Sequence, residues 1–326
     1  MTERVALDVL GYRTIGGGGI TNQKIAFIGL LLEAYESKRP VVLPYFRVMD
    51  QVERHHRKID FEEVFEIEAI REFCSRYGIV LTQVDFEQLP EGYDSYFWKI
   101  HHILQNAADD PEDKDRVFVL DVLRSLVPRV RTAFLTRMLR DTVAGLDPDF
   151  VVAQFRIEAD SQGHCRSNLD LVVPEHEVNF LAFEDILTKI RNTLPDVKSL
   201  FVLCDEKALP VSKEEMKEKS RDYFGFHLMF KSDYLSRFEE RLYTELHLSL
   251  IDFELATFSE RFVGITRSTF SCLATLEKSA REGRSVRNHY IYNLKGRRLI
   301  ERTDNGIYWD AASAVKWTGT AGANNS

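Results

Sequence analysis

The sequence predicts an α/β protein with an open, doubly wound parallel sheet in each half of the chain. Three observations predict it. Short apolar, β-branched runs alternate with longer segments of helical periodicity along most of the sequence. The chain has 326 residues, beyond the size at which a single hydrophobic core usually stops growing. The stretch "LDPDF", residues 146–150, is a polar, proline-bearing break of the kind that separates domains. The expected division is an N-terminal α/β domain over 1–147 and a C-terminal α/β domain over 148–310. The small, polar tail, 311–326, is expected to fray.

In chain order, "RVALDVL" reads as a first strand. The four glycines 16–19 lead into a helix with Thr21 as its N-cap and Ile25, Ile28, Leu32 and Tyr35 at helical spacing. "RPVVLP" follows as a strand, at a separation that suits a parallel crossover. Phe61, Val64, Phe65, Ile70 and Phe73 trace a second helix, ended by Gly78, before the strand "IVLTQV". Residues 115–145 read as helical with an interruption at Pro128. The second half is more regular. "DFVVAQFRIE" and "SLFVLCDE" are strands around the helix "EVNFLAFEDILTKIRNTL". The charged helix "KEEMKEKSRDY" precedes "GFHLMF", and a long helix runs through "RFEERLYTELHLSLIDFELATF". The strand "RFVGIT", the helix "STFSCLATLEKSAREG" and the strand "RNHYIYNL" complete it.

The formal net charge of −8, with both signs interspersed, argues against a nucleic-acid backbone as the main partner, since such binding rests on clustered Lys and Arg. Cys74, Cys165, Cys204 and Cys272 are far apart with no CxxC pair, so they form neither a zinc set nor a recognisable disulfide framework. No apolar run approaches the roughly 20 residues of a membrane span, and "MTERVALDVLGYRT" lacks the pattern of a secretory signal. A cytoplasmic protein is the expectation.

Several familiar devices fail. GxGxxG would need a glycine where Thr21 stands, and no Gly-Lys-Ser/Thr triplet follows the glycines at Walker spacing. The glycines mean either close approach of backbone to a ligand or a tight connection with positive φ. Arg156 falls near the end of an otherwise apolar strand. A guanidinium there needs a carboxylate or phosphate, and Glu158 and Asp160 are nearby carboxylates that could serve. "ITRSTFSCL" runs from a strand straight into a helix start bearing Ser268 and Thr269, which is either a plain N-cap or a phosphate cradle. "DPD" at 147–149 reads as a turn rather than a metal-holding DxD. His176 has no second histidine one turn on, and His55, His56, His101 and His102 lie in polar stretches. GxSxG does not occur.

Read together and in order, three blocks resemble the GDP-fucose protein O-fucosyltransferase family within the wider fucosyltransferase superfamily. "GGITNQKIAFIGLLLEAYESKRPVVLP" is similar to the family's GG-x-x-NQ segment, "VVAQFRIEAD" to its H-x-R strand, and "HLSLIDFELATFSERFVGITRSTFSCL" to its C-terminal block. The resemblance implies a GT-B architecture of two Rossmann-like domains with a cleft between them. It implies inverting transfer of fucose from GDP-fucose, or a related GDP-sugar, to a hydroxyl of a protein or glycan. The GDP-sugar is a co-substrate, and no cofactor or metal is required.

By position, Asn22 matches the asparagine near donor sugar and pyrophosphate, with Gly19, Ile20 and Thr21 forming the backbone around it. Arg156, preceded by Gln154 and Phe155, matches the arginine that neutralises the leaving diphosphate. Asp252 matches the aspartate that holds the base, and Thr269 and Phe270, after Ser268, match the pair that meets diphosphate and base. Two departures stand out. The family histidine is Gln154, which donates a hydrogen bond but carries no proton near neutral pH, and the glycine before the asparagine is Thr21. Glu158 and Asp160 are the nearest candidates for a general base, or else orient Arg156. The alternatives are a non-catalytic nucleotide-sugar-binding relative, or an unrelated α/β enzyme acting on a nucleotide or sugar phosphate.

Overall fold

Apolar strands alternating with amphipathic helices can bury both faces of a sheet only where the strands are long enough to pair, and the two halves of the chain differ in this. The computed structural model describes residues 8–13, 19–50, 55–84, 88–90, 92–106, 113–158, 177–178, 180–235, 244–266, 268–283 and 286–302. The chain divides into two units, Met1–Phe134 with Tyr243–Leu250, and Leu135–Leu242 with Ile251–Ser326.

The first unit is built around α1 (Ile20–Ser37), whose residues from Ile25 to Leu32 are all buried. A helix apolar on every side belongs inside a core rather than at its surface. It lies against α4 (Asp94–Asn106), and Gly29 makes the approach possible: a Cβ there would sit 2.1 Å from the Tyr96 carbonyl oxygen. The strands β1 (Val41–Val42) and β4 (Leu81–Thr82) pair in parallel, and Leu10 bridges Val41 on the other side. Residues 4–7 of the expected first strand lie outside the described residues. The doubly wound sheet expected here is therefore reduced, among the described residues, to the two-residue pair of β1 and β4 with the single bridge from Leu10. Pro40 and Pro44 bracket β1 and lack the N–H groups that would extend the ladder.

The rest of the first unit holds an antiparallel hairpin that the sequence reading did not anticipate, β2 (Phe46–Asp50) with β3 (His55–Ile59). Gln23 on α1 grips its edge: Nε2 donates to the Arg47 carbonyl at 2.8 Å and Oε1 accepts the Arg47 N–H at 2.8 Å. Helices α2 (Phe61–Val64) and α3 (Ile67–Tyr77) follow, and Gly78 ends α3 at φ 66, as expected. Helix α5 (Lys114–Ser125) is separated at Pro128, also as expected, from α6 (Val130–Leu146), which from Leu135 onward belongs to the second unit. The Asp149 N–H donates to Asp147 Oδ1 at 3.0 Å, so "DPD" is a turn.

The second unit carries the predicted sheet. Its strands are β5 (Val151–Gln154), β6 (Ser199–Leu203), β7 (His227–Phe230), β8 (Phe262–Gly264), β9 (His289–Ile291) and β10 (Ile300–Glu301), in the order β10-β9-β8-β5-β6-β7. All pairs are parallel except β9 with β10. Every residue of β5 and β6 is buried, the signature of a sheet covered on both faces. Helices α7 (Phe183–Thr193), α8 (Lys213–Lys219), α9 (Glu245–Phe258) and α10 (Thr269–Glu282) connect the strands. Val151, Ala153, Phe155, Leu187, Leu200 and Phe230 lie in its core. The winding starts at β5, moves outward through β6 and β7, then restarts on the opposite side with β8 and β9.

Candidate functional site

That reversal of direction falls between β5 and β8, and in open α/β sheets it opens a crevice outside the carboxyl ends of the strands. Most sequence-predicted residues of the second unit come to this edge. Phe155 is fully buried and its N–H donates to the Leu203 carbonyl at 2.9 Å, which prolongs the ladder one residue past β5. Arg156 is exposed, and its backbone N–H donates to Tyr292 Oη at 3.2 Å. The expectation of an arginine inside the strand is thus corrected. The strand ends at Gln154, and the guanidinium projects beyond it with no ion pair among the described residues. Glu158 is 1% exposed, and its Oε1 accepts the Asp205 N–H at 3.0 Å, which ties the loop after β5 to the loop after β6. Asp160 lies outside the described residues.

The helix start at Ser268 is as expected. Ser268 is the N-cap of α10, its Oγ accepting the Ser271 N–H at 3.3 Å, and Thr269 is the first helical residue. Phe270 packs edge-on against Phe253 of α9, with ring centroids 5.5 Å apart. Gln154 joins this helix start to the end of β5. Its Oε1 accepts Ser271 Oγ at 2.5 Å and Ser268 Oγ at 3.3 Å, while Ser271 Oγ accepts the Ile265 N–H at 3.1 Å. With both serine hydroxyls as donors, the amide end they meet is assigned as the oxygen. The NH2 end is left as a donor at the crevice, with no hydrogen bond among the described residues.

Two features of this edge escaped the sequence reading. Gly264 closes β8, and a Cβ there would lie 2.3 Å from Ser271 Oγ, so α10 reaches the strand only over a glycine. Asn293 clamps the following turn: its Oδ1 accepts the Thr266 N–H at 2.9 Å and its Nδ2 donates to Thr266 Oγ1 at 2.8 Å. An asparagine two residues after a short strand gives no signal of this from sequence.

Asp252 lies on α9, 8% exposed. Its Oδ2 accepts Lys231 Nζ at 2.6 Å, while Oδ1 is buried with no hydrogen-bond partner among the described residues. Burial pushes the carboxyl up to about 6; Lys231 counters this, and Glu206 and Asp205 add to it. Beside the pair, Glu206 accepts the Ser232 N–H at 3.1 Å and Lys213 Nζ at 2.9 Å. Lys231 was missed because a lysine after "GFHLMF" reads as the first residue of a solvated turn. Its position at the carboxyl end of a buried parallel strand was the available signal.

In the first unit, Gly19 is the N-cap of α1 at φ −56, with no side-chain cap, and Ile20 is the first helical residue. Thr21 is therefore not the cap, a correction. Burial of Ile20 at 1% exposure draws the helix start two residues earlier than a cap at Thr21 would place it. A Cβ on Gly19 would meet no described residue within 4 Å, so neither a positive φ nor crowding from the described residues demands glycine at this position. Asn22 is half-buried and its Oδ1 is buried without a hydrogen-bond partner among the described residues. Gly16, Gly17 and Gly18 lie outside the described residues. At the carboxyl ends of β1 and β4 the first unit also has a cavity of about 870 Å³, bordered by Tyr45, Asp60, Glu62, Arg71, Thr82 and Gln83 among others.

No family model matches the sequence. The chain is 25% identical over 350 residues to O-fucosyltransferase 23 of Arabidopsis thaliana, covering 85% of this chain and 75% of that protein. Among solved structures, POFUT1 in complex with GDP-fucose matches with a TM-score of 0.58 at 13% identity, covering 90% of this chain and 100% of that one. POFUT1 in complex with GDP matches with a TM-score of 0.53 at 15% identity, covering 86% and 98% respectively. The fold is shared with these structures, and the family read from the three sequence blocks is the one to which the curated relative points.

Proposed function

We infer that this chain belongs with the GDP-fucose-dependent fucosyltransferases and transfers fucose from GDP-fucose to a hydroxyl of a protein or glycan acceptor. One observation carries the reading from the structure itself: the joint of Gln154 with Ser268 and Ser271, at the point where the sheet reverses. It gathers an exposed arginine, an amide NH2 and a helix N-terminus at one edge, which is the equipment for a diphosphate.

In this reading the architecture is GT-B, with the donor on the second unit and the acceptor on the first. The start of α10, with Ser268 and Thr269, receives the diphosphate, and the Gln154 NH2 donates to one of its oxygens. Arg156 stabilises the charge that develops as the bond between the anomeric carbon and the diphosphate oxygen breaks. Its lack of an ion pair among the described residues suits it to a partner that arrives with the substrate. Asp252 accepts N–H groups of the base and Phe270 packs on it. By the resemblance, Asn22 with the backbone of Gly19, Ile20 and Thr21 is the first unit's candidate for contact with the donor sugar and pyrophosphate. The acceptor oxygen attacks the anomeric carbon from the face opposite the departing GDP, which inverts the configuration there and releases the acceptor proton to a base. Glu158 is too deeply buried for that task and acts as a positioning residue through Asp205. The positive charge of Arg156 and of the helix start takes the place of a metal, so transfer persists in EDTA.

The test is calorimetric titration with GDP, GDP-fucose, UDP and ADP, repeated with Arg156→Ala, followed by assay of GDP release in the presence of acceptor hydroxyls. Preference for the guanine nucleotides, weakened by the substitution, is expected. Equal binding of all four, or none by folded protein, refutes the reading. Gln154 in place of a histidine favours one second reading, a nucleotide-sugar-binding relative without turnover. Guanine-selective binding with no GDP release would identify it.

A further inference from the structure

We propose that Lys231 is the positioning residue that makes Asp252 a reader of the nucleotide base: its ammonium takes Oδ2 and holds the carboxylate ionised, leaving Oδ1 to accept N–H donors. The proposal rests on the donor reading above and deepens it. The geometry consists of the 2.6 Å contact from Lys231 Nζ to Oδ2 and the buried, unpartnered Oδ1 on the same carboxyl. Both side chains are 11% exposed, so water does little to screen the pair or to replace it.

An ionised carboxylate with one oxygen engaged is a pure acceptor. Guanine offers it two adjacent donors, the ring N1–H and the exocyclic amine. Adenine presents an unprotonated ring nitrogen at the matching position, and uracil flanks its single N–H with carbonyl oxygens. A protonated Asp252 would instead present an O–H, and the preference for guanine would be lost. The groups facing Asp252 make protonation a real hazard. Asp205 and Glu206, from the segment after β6, both disfavour a further negative charge, and the Cys204 thiol beside them is itself held protonated by burial. Lys231, from the segment after β7, is the cation opposing them. Lys213 of α8 is taken up by Glu206.

With its carboxyl pushed up to about 6, Asp252 is still mostly ionised at pH 7. If losing the neighbouring ammonium raises it by about two pH units, the ionised fraction at pH 7 falls from about nine-tenths to about one-tenth. GDP affinity then drops roughly tenfold.

The experiment is titration of wild type, Lys231→Met, Lys231→Arg and Asp252→Asn with GDP, inosine diphosphate and ADP between pH 5.5 and 8, each variant checked by thermal unfolding. Lys231→Met should weaken GDP roughly tenfold at pH 7 and move the acid loss of binding to higher pH, while Lys231→Arg keeps the wild-type profile. Asp252→Asn should bring GDP and inosine diphosphate close to ADP. If wild type shows no guanine preference, the donor reading itself fails. If wild type prefers guanine but folded Lys231→Met keeps its GDP affinity and pH midpoint, the role of Lys231 alone is overturned, and the pair is a structural ion pair. Should Lys231→Met not fold, the wild-type profile decides: guanine preference unchanged from pH 8 to 5.5 overturns the proposal, and loss near pH 6 sustains it.

Discussion

Replacing Ser271 by alanine removes one oxygen atom on which three parts of the second unit converge. Its Oγ donates to Gln154 Oε1 at 2.5 Å and accepts the Ile265 N–H at 3.1 Å, inside a residue that is 1% exposed. A net hydrogen bond contributes about 1 kcal/mol, and a buried N–H left without a partner costs about 1–3 kcal/mol. Because the Ile265 N–H is only partly buried, the lower end of that penalty applies, and Ser271→Ala should lower the stability of the second unit by about 2 kcal/mol. Denaturation in urea reads that quantity, with m unchanged if only stability has moved. A second readout separates packing from site geometry. With only Ser268 Oγ left at 3.3 Å, the Gln154 amide loses its orientation, and GDP binding should weaken about tenfold, which is about 1.4 kcal/mol. In a double-mutant cycle with Gln154→Ala the two losses of affinity should overlap rather than add, with an interaction energy of about 1 kcal/mol. A stability change below about 0.5 kcal/mol, the range of ordinary surface substitutions, would refute the argument. So would additive losses, because either result would mean that the joint is incidental to the site.

Other expectations test separate parts of the structure. Gly29→Ala would drive a methyl to 2.1 Å from the Tyr96 carbonyl oxygen, a backbone atom that cannot step aside, so thermal unfolding of the first unit should register a loss of about 2 kcal/mol or more. Arg156→Ala and Arg156→Lys, at an exposed position, should leave stability within about 0.5 kcal/mol. They should slow transfer by about 10²-fold or more, as removal of a transition-state donor does. Acidification should act on Asp252 in opposite senses. Its carboxyl is raised in the folded chain, so its share of folding stability grows as pH falls from about 6 toward 4, whereas GDP affinity falls over the same interval. Denaturation and calorimetry in parallel buffers would show the divergence, and parallel trends would contradict it.

What the sequence revealed, and what it hid, follows from the range of each interaction. "FVVAQF" and "SLFVL" were legible as buried parallel strands because a sheet covered on both faces requires unbroken apolar runs. Gly78 and Pro128 were legible as helix ends because positive φ and a missing N–H act locally. Ser268 was legible as a helix start for the same reason. The hairpin of β2 and β3 was not, since its edge is held by Gln23, 24 residues away from Arg47 in sequence. The contraction of the first sheet depends on Pro40 and Pro44 acting together on one strand, an effect that the apolar run "VVL" between them does not reveal. Lys231 with Asp252, and Gln154 with Ser271, are side-chain meetings that leave no period in the sequence. Each partner alone resembles a solvated polar residue.

The joint at Gln154 also bears on how the chain is made. Its partners are 114 and 117 residues apart, and β5 finds β8 only after β6 and β7 have been laid down on its other side. Long-range pairing of this kind closes late, because the ordering of the intervening chain precedes the contact that rewards it. A nascent chain emerging from its N-terminus can bury β5, β6 and β7 against α7 and α8 while the cradle proposed for a nucleotide does not yet exist. Any ligand of that cradle thus recognises only the finished second unit and stabilises it by mass action. Where a nucleotide binds there, its supply adds to how much completed protein persists.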